Sequence, residues 1–132
     1  MRHGRFIPQI MVVGLGLDLT WIGRGMDASA AAFTTYLPAC QIIPFTENYV
    51  QKKEVPPAQF MAEWIILRGL NGQRVGYESD VYYLTPMAVG HLKSGLFKST
   101  WVDSGHLVNW LRLTKRSAEI AMLKQAAVIA GL

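Results

Sequence analysis

Sulfur chemistry is almost missing from this chain. It has one cysteine, Cys40, in 132 residues, which excludes an intramolecular disulfide framework and a cysteine-rich zinc site. Charge is also scarce: only 17% of residues are Asp, Glu, Lys or Arg, while 51% are hydrophobic. A chain of that balance can repay its ordering entropy by burial, so a disordered protein is excluded. Long apolar runs are absent too, and no stretch approaches the roughly 20 residues that a membrane helix needs. The opening Met1-Arg2-His3-Gly4-Arg5 is basic, but Pro8 and Gln9 interrupt the apolar run after it, so no signal peptide is visible. The expectations are one domain, no membrane partner and a reducing, cytoplasmic setting.

Thirteen basic residues against nine acidic ones give a net charge of +4. The excess lies wholly in residues 67–132. A basic protein invites a nucleic-acid reading, but the basic residues are scattered and only Arg112, Lys115 and Arg116 cluster. No basic-aromatic strand motif of the base-stacking kind is present. A solvated face is the expectation, with no nucleic-acid partner.

The hydropathy pattern alternates between short apolar runs and helical spacing. Ile10 to Val13 reads as a strand, Gly14 to Asp18 as a turn and Leu19 to Ile22 as the return strand of a hairpin. Asp27 is placed to cap an alanine-rich helix from Ala28 to about Tyr36. Gln41 to Phe45 reads as a strand near a sheet edge, because Pro44 has no N–H to donate. Thr46 to Val55 reads as a loop. Pro57 opens a helix that Gly69 ends. Arg74 to Tyr77 is a strand, Pro86 to about Ser94 a helix, Thr100 to Asp103 a strand and Leu107 to Leu113 a short helix. Ser117 is read as the cap of the last helix. The fold class is therefore α/β, with a mixed sheet, a leading antiparallel hairpin and crossover helices.

The last helix stands apart. Ile120, Leu123 and Ala127 share one face, and Met122, Ala126 and Ile129 another. A helix apolar on so much of its circumference wants cover on more than one side, and a small domain has little core to give. The expectation is a helix that leads into further structure rather than into its own core.

Few residues are arranged for chemistry. Gly23-Arg24-Gly25-Met26-Asp27-Ala28 fits the G-x-G-x-x-A spacing of dinucleotide-binding turns, with Glu47 near the position of a ribose-binding acid. Asp27, however, sets a carboxylate where a pyrophosphate would sit. The glycines are better explained by turn geometry beside a capped helix. His3, His91 and His106 have no metal-ligand spacing. Cys40 has no basic neighbour to lower its pKa, and no serine sits in a nucleophile-elbow motif. Aromatic residues beside polar ones, namely Trp21 near Arg24, Asn48-Tyr49 and Tyr77 to Tyr83, are of a kind that lines small polar pockets or fills half-buried positions. The catalytic and metal sets are read as none.

Asn109-Trp110-Leu111-Arg112, followed by Lys115-Arg116-Ser117-Ala118-Glu119-Ile120 and Leu123-Lys124-Gln125-Ala126-Ala127, resembles a junction in the creatinase/aminopeptidase P/prolidase family. There, R-x-x-K-S-x-x-E-I-x-x-(apolar)-(basic)-x-A-A joins the N-terminal domain to the catalytic pita-bread domain; here the acid follows the serine by two positions rather than three. Trp21 to Asp27, Thr46 to Gln51, Val75 to Glu78 and Trp101 to Asp103 are similar to that N-terminal domain, most of all to its ectoine hydrolase branch. The resemblance implies a chain shortened at both ends: a partial N-terminal-like domain over 1–113, and a linker helix over 114–132 that would enter an absent catalytic domain. It implies two divalent metals in that missing domain and no cofactor in this chain. It also implies a non-catalytic wall or dimer role, with Trp21, Arg24, Asp27, Tyr49, Glu78 and Tyr83 as substrate-binding or dimer contacts. The partners would be the catalytic domain or a second copy. The chain alone would carry no hydrolase activity. The rival readings are a stand-alone small-molecule-binding or dimerisation module and a nucleotide-binding domain using Gly23 to Ala28.

Overall fold

A computed structural model describes residues 8–50, 54–81 and 83–131. The chain opens with a hairpin of β1 (Ile10–Gly14) and β2 (Leu17–Arg24), which pair antiparallel through Ile10↔Ile22 and Met11↔Trp21. The turn is tighter than its glycine-rich sequence suggests. Gly16 alone supplies the positive φ, at 72°, and strand pairing resumes at Gly14↔Leu17 after an irregularity beyond Val12. Helix α1 (Gly25–Thr34) follows β2 directly, and β3 (Ile42–Phe45) then pairs parallel with β2 from Trp21↔Ile42 to Arg24↔Phe45. The sheet order β1-β2-β3 leaves Pro44 on an outer strand, where its missing N–H breaks no ladder.

The second half repeats the parallel crossover. Helix α2 (Pro57–Leu67) leads to β4 (Arg74–Tyr77), α3 (Pro86–Gly95) crosses over, and β5 (Thr100–Asp103) pairs parallel with β4. The mixed α/β class and the leading hairpin hold. The strands do not form one ladder, however: β4 and β5 make a separate two-stranded sheet. Two short helices end the described chain, α4 (Leu107–Leu113) and α5 (Ser117–Ile129). Among the described residues no helix is long and apolar enough to cross a membrane.

Strand alternation divides the apolar residues between two layers. On one face Trp21 and Ile42 pack with Ala31 of α1 and with Leu37. On the other, Ile22 and Phe45 meet Ala58, Met61, Ala62 and Ile65 of α2, Leu92 of α3 and Leu96 just beyond it, with Trp101 of β5 against the same cluster. This second layer is the main core and spans both sheets. Its fully buried bulk comes from Phe45, Ile22, Met61 and Leu96.

Local signals explain most element ends. Thr85 accepts the Ala88 N–H at 3.2 Å, capping α3. Gly69 takes φ 73° after α2, and the N–H groups of Gly69 and Leu70 reach back to Ile66 and Ile65. That closes the helix as a Schellman turn, with Leu70 folded onto the core. Two cap assignments need correction. Helix α1 begins at Gly25 with Arg24 as its flanking residue, so Asp27 lies inside the first turn rather than at the cap. In α5, Arg116 is the flanking residue and Ser117 the first helical one. Glu119 performs the capping, accepting the Arg116 N–H at 2.8 Å. In the expected loop after β3, Glu47–Tyr49 forms a single 3-10 turn, and Gln51 to Lys53 lie outside the described residues.

Helices α2 and α3 lie close together at Gly95, where an added Cβ would stand 2.5 Å from the Cβ of Ala62. Gly95→Ala should therefore destabilise the fold by roughly 1–3 kcal/mol through overpacking. Ala62→Gly in the same chain should restore part of the loss, read as coupling in a double-mutant cycle of urea unfolding. Additive effects would show that the helices do not meet there.

Candidate functional site

The first polar constellation lies where β2 and β3 end side by side, the edge at which open parallel sheets place their ligands. Arg24, the last residue of β2, points to Glu47 just beyond β3. Its Nε donates to Oε1 at 2.8 Å and its terminal nitrogen to Oε2 at 2.6 Å, a two-pronged pair in exposed surroundings. Arg24 is the more covered of the two, with its side chain 25% exposed against 60% for Glu47. The hydrogen bond from Arg24 holds the Glu47 carboxyl below the usual range, and the same bond holds the guanidinium above its own. Asp27 stands in the next helical turn and accepts the Gln9 side-chain amide at 2.9 Å. Tyr49 lies two residues beyond Glu47, edge-on to Phe60 at 5.2 Å and to Phe45 at 6.4 Å. An arginine, two carboxylates and an amide thus share one strand edge, and the Tyr49 ring that follows packs into the core cluster.

Trp21 does not stand with them. It is buried beneath α1, and its ring lies over Gly23, where an added Cβ would collide with the indole. This corrects the turn-geometry account of the glycine motif. Gly23 is inside β2 without a positive φ, and the space it leaves is filled by the ring. Both Glu47 oxygens are engaged by Arg24, and the strand before α1 is the second arm of a hairpin. The dinucleotide spacing therefore rests on packing.

A second polar constellation ends β4 and β5. Asp103, the last residue of β5, accepts from the Ser79 hydroxyl, from the Gly105 N–H at 2.8 Å and from the Ser79 N–H at 3.4 Å. Those bonds, the serine hydroxyl first, hold its carboxyl below the usual range. His106 Nε2 lies 3.0 Å from Asp80. Glu78 is half-buried beside this group and Tyr83 is exposed in the loop after it. His106 reads from sequence as an ordinary helix-edge histidine. Asp80 lies far from it in the chain, and only the parallel pairing of β4 with β5 brings the two together. This is a histidine–carboxylate contact without a nucleophile, because Ser79 is turned to Asp103. Among the described residues no group of three or more His, Cys, Asp and Glu side chains could hold a metal ion.

The structure thus divides the six predicted residues. Arg24 and Asp27 share the β2–β3 edge, Tyr49 packs with Phe45 and Phe60 against the core, Glu78 directly follows β4, Tyr83 lies in the loop beyond it, and Trp21 is core. Sequence reasoning missed Gln9 and gave Ser79, Asp103 and His106 no site role. The one available signal was that each acid sits at or just past a strand end.

The third surface is apolar. Helices α4 and α5 bury no residue. Trp110 is 69% exposed, Met122 71% and Ile129 87%, with Leu107, Leu111, Leu113 and Leu123 also open. The last helix does not enter this domain's core.

No family model matches the chain. It is similar to an uncharacterized hydrolase/peptidase, y4tM, of Sinorhizobium fredii, at 36% identity over 125 residues, which is 94% of this chain and 32% of that protein. It is similar to the ectoine hydrolase of Halomonas elongata at 32% identity over 129 residues, 96% of this chain and 32% of the hydrolase. A second uncharacterized hydrolase/peptidase of Sinorhizobium fredii, y4tL, is 28% identical over 127 residues, 95% of this chain and 32% of the relative. The similarities support a hydrolase/peptidase family, and the chain spans about a third of the length of the curated relatives it matches.

The Arg24–Glu47 pair gives a pH test with a definite sign. A carboxylate whose pKa is depressed on folding contributes stability that is fully present above its unfolded value, and that contribution is lost as pH falls through the folded value. Glu47→Gln should therefore lower the urea midpoint modestly at pH 7, as expected for an exposed pair, and the gap to the parent chain should close on acidification below the carboxylate range. A gap that persists unchanged at pH 2 would mean that the pair contributes nothing through its charge.

Proposed function

We propose that this chain is the non-catalytic N-terminal domain of a creatinase/Xaa-Pro peptidase-like hydrolase, of ectoine hydrolase type. In this reading the reacting groups and any divalent metals belong to polypeptide outside the present sequence. The observation that carries it is the combination of near-complete coverage of this chain with one-third coverage of each relative. The bare α4–α5 arm supports it, because an apolar surface of that extent suits a permanent neighbour. The arm is the surface that would meet the catalytic domain. The β2–β3 edge, with Arg24, Asp27 and Tyr49, would stand at the active-site wall or against a second copy.

The isolated chain should hydrolyse neither ectoine nor an Xaa-Pro dipeptide. Co-expressed with the part of the Halomonas elongata ectoine hydrolase that this chain does not match, it should form a complex and support turnover. Trp110→Lys with Leu123→Lys should abolish that complex while leaving the melting of the core intact, since neither residue is buried. Turnover by the isolated chain would overturn the reading. So would a monodisperse homodimer that ignores the catalytic part, which would instead identify a stand-alone dimerisation module.

Removing residues 118–132 separates the arm from the core in another way. The core should melt as before, because α5 buries nothing, and self-association measured by sedimentation should fall. Greater aggregation after the deletion would show that the helix belongs to this domain.

A further inference from the structure

We propose that the polar constellation ending β4 and β5 is a bracket that fixes the direction in which α4 leaves the domain. The arm buries no residue of its own, so packing does not hold it to the core. Its orientation must be set where it starts, and the polar bonds concentrate there. The Ser104 N–H donates to the Tyr77 carbonyl at 2.9 Å, extending the β4–β5 ladder by one rung. Gly105 then turns the chain with φ 54°, and its N–H returns to the Asp103 carboxylate. The other oxygen of Asp103 takes the Ser79 hydroxyl from the loop that leaves β4. His106, the residue flanking α4, reaches the next residue of that loop, Asp80. Its own carbonyl accepts the Trp110 N–H at 2.9 Å, the first rung of α4.

Two segments that are distant in sequence are thus tied through three closely spaced residues, Asp103, Ser104 and His106, immediately before α4. One carboxylate sits at the centre with its acceptor capacity spread over both loops, the arrangement that makes a polar network geometrically specific. Removing Asp103 would leave the Gly105 turn and the Ser79 loop without their common acceptor. The His106–Asp80 contact is one bond between two exposed side chains, whereas Asp103 accepts several, so it is the weaker tie. The bracket stands on this geometry alone; its use as an alignment device for a catalytic domain rests on the function proposed above.

The test is single-molecule energy transfer at picomolar concentration, where self-association cannot contribute. Dyes are placed at Glu63→Cys on α2 and Arg112→Cys on α4 in a Cys40→Ser background. The parent should give one narrow transfer peak. Asp103→Ala should lose that peak to a broad or shifted distribution while the core still melts cooperatively. Asp103→Asn, which keeps one carbonyl acceptor, should fall between the two, and His106→Gln should give a smaller shift than Asp103→Ala. If Asp103→Ala does not fold, Ser79→Ala and His106→Gln together provide the same reading. A broad parent distribution, or a peak unmoved by these substitutions, would overturn the bracket. Reconstituted turnover with a mobile arm would count against the bracket only. A fixed arm without turnover would count against the proposed function only.

Discussion

One apolar layer holds this fold together. The hydrogen-bonded ladders fall into two separate sheets, so backbone pairing alone does not make them one body. What joins them is the packing of Ile22 and Phe45 from the first sheet and Trp101 from the second against α2 and α3. Burial of this kind is non-directional and scales with the area removed from water. It therefore holds the sheets at a distance set by side-chain volume, and Gly95 against Ala62 sets how closely the two helices covering them can lie.

The two polar edges are built out from that layer. Each parallel pair ends on the same side of its crossover, and each delivers acids and hydroxyls from residues far apart in sequence. At the β2–β3 edge the chemistry is that of a charged wall, with a guanidinium already satisfied by Glu47 and an aromatic cluster beside it. At the β4–β5 edge it is architectural, because Asp103 spends its acceptors on its own backbone and on Ser79. Among the described residues neither edge gathers a nucleophile with an activating base.

Much of the fold was legible because it is written locally. Pro57 and Pro86 open helices, Gly69 closes one, and short β-branched or aromatic runs mark each strand. The exposed terminal helix was legible in the same way, from a circumference with few polar positions. The split of the strands into two sheets was not, because a ladder between distant segments depends on register and packing that no window of sequence contains. The site was read less well for the same reason. Arg24 and Asp27 announce themselves beside glycines, whereas Asp80 meets His106 only through the β4–β5 pairing. Gly23 was misread because a glycine that makes room for a neighbouring indole looks, in sequence, like one that makes a turn.

The two parallel crossovers also shape how the chain must assemble. Strands β1 and β2 meet after closing a two-residue turn, a local event that can occur within microseconds. Strands β3 and β5 find their places only after the segments carrying α1 and α3 have been drawn into loops, an entropic cost that precedes any reward. The hairpin is therefore the natural template, and the parallel pairings are the slow steps laid upon it. Until they are complete, the faces of β2 that become core lie open, which makes the interval before closure the stage at which this chain is most exposed to misassembly.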